Sequence, residues 1–162
     1  MPILVLEEGK PMKTILVPID GSENSKRAML KAKELADCLG SKIIIMNVMN
    51  IVTTVSIYPN LQSAKTGGSV DWPGIYDAAK ERSEKLLGEA KELLKGSDVE
   101  TVMIDDPSGK FATAIVNFAN ERDVDLIVMG SNGMGSLRHR LYLGSVTTKV
   151  LHMTEKAVMV IQ

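Results

Sequence analysis

Apolar residues along this chain fall into short unbroken runs that alternate with stretches of helical spacing, and this alternation carries the main fold signal. Lys13-Thr-Ile-Leu-Val-Pro-Ile19 predicts a strand that stops at Asp20-Gly21-Ser22, residues suited to a tight turn and a helix start. Between Ser25 and Leu39, the positions Ala28, Ala32, Leu35, Ala36 and Leu39 make one helical stripe, and Gly40 stands where a C-terminal cap belongs. Lys42 to Val48 predicts the next strand. Its consecutive isoleucines imply burial on both faces, as in a parallel sheet.

No period holds from Asn50 to Gly74, and turn residues are frequent there, so the spacing predicts a long loop at 50–74 that flanks a site or meets a partner. Ile75 to Leu94 predicts a helix with Ala79, Leu86, Leu87, Ala90, Leu93 and Leu94 inward, ended by Gly96. Val99 to Ile104 follows as a strand, then a loop from Asp105 to Lys110. Phe111 to Arg122 predicts a helix with Phe111, Ile115, Phe118 and Ala119 toward the core. Val124 to Met129 is a strand, the residues after Gly144 a short helix carrying Val146, Val150 and Leu151, and Ala157 to Ile161 a last strand. The order βαβαβαβαβ predicts an α/β domain whose parallel sheet is covered by helices on both faces. Residues 1–12 stand outside the pattern as an N-terminal extension, with Ile3 to Leu6 compatible with an extra edge strand or a disordered start. Residues 13–162 make a single domain.

Composition narrows the function. A chain of 162 residues is the size of one domain with one core. A net charge of -1 and 4% aromatic residues provide neither a basic face nor stacking platforms, which argues against nucleic acid and for a small nucleotide as partner. Cys38, the single cysteine, is expected to be a small buried apolar residue of the first helix. With only His139 and His152 besides, no Cys/His cluster has metal-ligand spacing. No apolar run approaches the roughly 20 residues of a membrane span, and the start lacks a secretory pattern, so a cytoplasmic protein is expected.

The candidate chemistry lies between Gly130 and Val146, reading Gly-Ser-Asn-Gly-Met-Gly-Ser-Leu-Arg-His-Arg-Leu-Tyr-Leu-Gly-Ser-Val. Glycines after a buried strand let backbone N–H groups approach an anion, and a helix start adds free donors and a positive dipole end. In an open parallel sheet, ligands bind beyond the carboxyl ends of the strands where strand order reverses. Asp20, Val48 and Gly130 all stand at such ends. Asp20 is equally compatible with capping the first helix, and Arg138, His139 and Arg140 with a solvated face or a phosphate contact. A side chain at position 130 is expected to fill space that a ligand needs.

Ile15-Leu-Val-Pro-Ile-Asp-Gly-Ser22, Ala119 through Leu126-Ile-Val-Met-Gly-Ser-Asn-Gly133, Leu143-Gly-Ser-Val-Thr147 and Val158-Met-Val-Ile161 together resemble the universal stress protein family of the nucleotide-binding kind. The resemblance covers Lys13 to Ile161. It implies a doubly wound five-stranded parallel sheet in the order 3-2-1-4-5, Rossmann-like and similar to the adenine nucleotide alpha hydrolases. It also implies a homodimer through the last strand, 157–161, whose alternating Val158 and Val160 suit an edge. By resemblance the ligand is ATP, or ADP or AMP, with Mg2+ or Mn2+ held on the phosphates. Asp20 would lie at the adenine with Pro18 and Ile19 beside it, and Val48 would meet the base through its backbone. Met129 and Gly130 would lie under the ribose, and the loop through Ser131, Asn132 and Gly133 would contact sugar and phosphates. Gly144, Ser145, Val146 and Thr147 would hold the phosphates. The connection Met134 to Leu143 is ten residues, one more than the family's usual spacing. No Walker-type Gly-Lys-Ser/Thr is present, so slow ATP hydrolysis is the most expected of it. The resemblance implies a nucleotide-dependent sensor or regulator in stress response. The alternative is a dimeric interaction module that does not bind nucleotide.

Overall fold

The structure is a computed structural model and describes residues 11–57, 71–133 and 143–162. Five strands and five helices follow in the order β1 (Thr14–Pro18), α1 (Glu23–Leu39), β2 (Lys42–Met49), α2 (Ile51–Ile57), α3 (Trp72–Leu93), β3 (Val99–Asp105), α4 (Phe111–Glu121), β4 (Leu126–Gly130), α5 (Ser145–Met153) and β5 (Ala157–Ile161). The expected strand at Ile3 to Leu6, the middle of the 50–74 segment and Arg138 to Arg140 lie outside the described residues.

All strand pairings are parallel, in the order β3-β2-β1-β4-β5, as expected. β1 is central: Ile15 is opposite Ile43 on one side and Leu126 on the other. Because successive side chains point to opposite faces, the isoleucine run of β2 divides between two cores. Ile15, Val17, Ile43, Ile45 and Val128 pack with Ala28, Ala32 and Ala36 of α1 and Leu87 and Ala90 of α3. Leu16, Ile44, Met46 and Ile127 pack on the other face with Ile115, Val116 and Ala119 of α4 and Val150 of α5. Ile15, Leu16 and Val17 are fully buried, each contributing about 1.5–3 kcal/mol of apolar transfer. At the lower end, Asp125 Oδ2 accepts the N–H groups of Lys13 at 2.9 Å and Thr14 at 3.0 Å, fixing the start of β1 beside β4.

Three expectations change. The segment read as loop from Asn50 begins with helix α2. Its start joins a non-local bond, Asn50 Nδ2 donating to the Asp106 carbonyl at 2.8 Å, to the first helical bond, in which the Asn50 carbonyl accepts the Thr54 N–H at 3.2 Å. Helix α3 begins at Trp72, because Asp71 accepts the Gly74 N–H at 3.1 Å and Pro73 suits a first turn. Cys38 is exposed. At about 100° per residue, it turns away from the face formed by Ala28, Ala32 and Ala36.

Candidate functional site

Strands β2 and β3 lie on one side of β1, and β4 and β5 on the other, so the chain reverses its winding between β1 and β4. A cavity of about 490 Å3 opens at the carboxyl ends of these strands. Pro18, Ile19 and Asp20 line it from β1, Val48 from β2, and Met129, Gly130, Asn132 and Gly133 from the end of β4. Gly144, Ser145, Val146 and Thr147 close it from the start of α5. Ser131 is the one expected site residue that does not line it. It is 4% exposed, and its N–H donates to the Ile161 carbonyl at 2.7 Å while its own carbonyl accepts the Gly144 N–H at 2.7 Å. Ser131 therefore ties β4 to β5 and α5.

Short-range chemistry shapes the β1–α1 turn. Asp20 Oδ1 accepts the Ser22 N–H at 2.9 Å, Gly21 takes φ of 88°, and the cap of α1 is Ser22, whose Oγ accepts the Ser25 N–H at 3.1 Å. Asp20 builds the turn, then, and the helix cap falls to Ser22. Arg82 of α3 donates from Nη2 to the Asp20 carbonyl at 2.9 Å, holding the turn from above.

The glycines have different reasons to be there. A Cβ on Gly130 would lie 2.8 Å from Asn24 Cβ, so the strand and α1 approach too closely for any side chain. This corrects the expectation for position 130: the first obstacle is the helix. A Cβ on Gly133 would lie 2.7 Å from Asp20 Oδ2, and one on Gly144 would lie 3.3 Å from the Ser131 carbonyl oxygen. Asn24 Nδ2 reaches the Asn132 carbonyl at 3.4 Å, and Thr147 Oγ1 donates to the Gly130 carbonyl at 2.9 Å. Gly144 and Thr147 thus stand directly against the end of β4.

Gly144 caps α5 without a side-chain bond, and the first bond within this helix runs from the Thr148 N–H to the Gly144 carbonyl at 2.9 Å. The N–H groups of Ser145, Val146 and Thr147 precede that bond at the cavity wall, where the helix dipole favours an anion. Ile19, Val48, Met129, Phe111 and Ile115 give the same wall an apolar part. A flat apolar ring with an attached anionic group matches this combination. Among the described residues, no three His, Cys, Asp or Glu side chains group as a metal site.

The sequence pattern does not place Ser22, Ser25, Met46, Arg82, Phe111 or Ile115 on this wall. Phe111 and Ile115 were read only as core, although their position at the start of a helix following a strand end was a usable signal. Arg82 gave no signal, since it stands among the many charged residues of α3.

The same architecture recurs in known proteins. Universal stress protein YxiE of Bacillus subtilis (strain 168) is 33% identical over 157 residues, covering 91% of this chain and 97% of that protein. A universal stress protein solved in complex with cAMP superposes with a TM-score of 0.66 at 24% identity, covering 94% of this chain and 99% of the other. The universal stress protein of Archaeoglobus fulgidus in complex with dAMP gives a TM-score of 0.64 at 20% identity, over 94% and 100% of the two chains. At such identities the two structures speak for the fold, and no helix among the described residues is long and apolar enough to cross a membrane. The model of the universal stress protein family matches residues 11–162, which take in both the β1 turn and the glycine turn of the cavity, and the chain belongs to that family.

Proposed function

We propose that this protein binds an adenine nucleotide, ATP or the related ADP or AMP, in the cavity above β1 and β4. The carrying observation is that one cavity is lined both by the apolar side chains of Ile19, Val48 and Met129 and by the start of α5, which has no side-chain cap, with Asp20 close against Gly133 on the same wall. The base would lie against Ile19, Val48 and Met129, the ribose over Gly130, and the phosphates at Gly144 to Thr147, with Mg2+ or Mn2+ on their outer oxygens. The cAMP and dAMP complexes of two structural neighbours support an adenine ligand.

Asp20 and Arg82 are the ionisable side chains on the wall among the described residues. That set supplies little for phosphoryl transfer, which depends on positioned charge at the transferred group, so hydrolysis would be slow at most. The protein is then a nucleotide-dependent sensor or regulator in the stress response, acting in the cytoplasm as a homodimer through β5, whose residues are all half-buried with one edge outside the sheet. Calorimetric titration with ATP, ADP and AMP tests the reading, and failure of all three to bind would sink it. Native mass spectrometry of the purified protein reports co-purified nucleotide and subunit number together.

A further inference from the structure

The backbone of β2 alternates its direction: the Lys42 N–H donates to the Lys13 carbonyl at 2.8 Å toward β1, and the Ile43 N–H to the Asp98 carbonyl at 2.8 Å on the β3 side. Met46 faces β1 again, its carbonyl accepting the Ile19 N–H at 2.8 Å. Val48, two residues on, faces the same way. In a continued ladder its N–H would donate to the Ile19 carbonyl, with the offset that joins Lys42 to Lys13. That carbonyl is instead taken by the side chain of Asn47, whose Nδ2 donates to it at 2.7 Å. Ser83 Oγ of α3 donates to Asn47 Oδ1 at 2.7 Å, so the amide is held at both ends. Asn47 is 3% exposed and Ser83 1%, and the pair sits where a polar group without partners would be costly.

We propose that Asn47, oriented by Ser83, is a positioning residue for base recognition. By occupying the Ile19 carbonyl it keeps the Val48 N–H and C=O aimed at the cavity. There, one donor and one acceptor on the same residue pair with the ring nitrogen and exocyclic amine of adenine. The inference rests on the nucleotide reading above, and it adds the device that leaves this strand edge open. The neighbouring Arg82 binds the next carbonyl, that of Asp20, directly, so α3 acts on Asp20 itself and on Ile19 through Asn47.

Two measurements on the full chain test it: amide hydrogen exchange without ligand, and the ratio of ATP to GTP affinity, in the wild type, Asn47→Leu, Ser83→Ala and Ser83→Thr. In the wild type, the Val48 amide should exchange about tenfold or more faster than that of Met46. In Asn47→Leu it should slow as the N–H closes onto the vacated Ile19 carbonyl, and the preference for ATP should shrink roughly five- to tenfold. Ser83→Ala should move both readouts the same way, and Ser83→Thr should restore them. A Val48 amide already protected in the wild type, or unchanged in both Asn47→Leu and Ser83→Ala, would overturn the inference. Should Asn47→Leu fail to fold, Ser83→Ala decides alone. Exchange as expected in a protein that binds neither nucleotide would overturn the base-reading role together with the proposed function. Tight ATP binding with an unchanged ATP:GTP ratio in the variants would overturn the positioning role alone.

Discussion

Gly130 lies so close to Asn24 that a methyl group on its α-carbon would stand 2.9 Å from the Asn24 carbonyl carbon, which is backbone and unable to turn aside. Gly133 meets a carboxylate oxygen of Asp20, the end of a side chain that can rotate. The two glycines should therefore separate stability from binding. Gly130→Ala is expected to lower the free energy of unfolding by about 1–3 kcal/mol through overpacking of β4 against α1. Gly133→Ala should change stability by less than about 1 kcal/mol yet weaken nucleotide binding about tenfold, because Asp20 must move. Urea unfolding and calorimetry on the same samples check both. Wild-type stability in Gly130→Ala would contradict the packing account.

Thr147 is 3% exposed and donates from Oγ1 to the Gly130 carbonyl. Thr147→Val keeps the shape and removes the donor, so a loss of about 1–2 kcal/mol is expected. Thr147→Ser keeps the bond and should stay closer to the wild type. Equal destabilisation by both would count against the hydrogen bond as the source of the effect.

Glu100 accepts from Lys42 Nζ at 2.6 Å and from Arg122 Nη2 at 2.9 Å. The Lys42 ammonium first, and the Arg122 guanidinium with it, hold its carboxyl below the usual glutamate range. Since the folded state favours the ionised form, this contribution is fully present above the unfolded value of about 4.3 and is lost as pH falls through the lowered folded value. Both partners are partly exposed, so no more than about 1 kcal/mol is at stake. Glu100→Gln should lower the urea midpoint at neutral pH, with the gap to wild type closing in strong acid. A gap that widens in acid would reverse the sign of the account.

Cys38 is exposed on α1, so the native protein should react with one equivalent of a disulfide reagent without denaturant. Reaction that appears only after unfolding would return this thiol to the core.

The strands were legible because β2 and β4 are apolar runs with few alternatives, and the shared cavity because Asp20, Gly130 and Gly144 mark the ends of elements. What escaped was non-local. Helix α2 depends on Asn50 finding Asp106 across 56 positions of chain, a bond that no local period announces. Asn47 lies in an apolar strand and Ser83 on a charged helix, 36 positions apart, and only the fold joins them. Cys38 was misplaced because a small apolar residue on a helix carries no sign of which flank it occupies.

The bond from the Ser131 N–H to the Ile161 carbonyl has a consequence for synthesis. The turn that carries Gly130 and Gly133 is tied down by β5, the last of the five strands to be translated. A nascent chain that already holds β1, α1 and both glycines has Asn24 against this turn but lacks the bond to Ile161. A chain cut before Ile161 would therefore carry every side chain that lines the cavity and lack one of the bonds that hold its glycine turn.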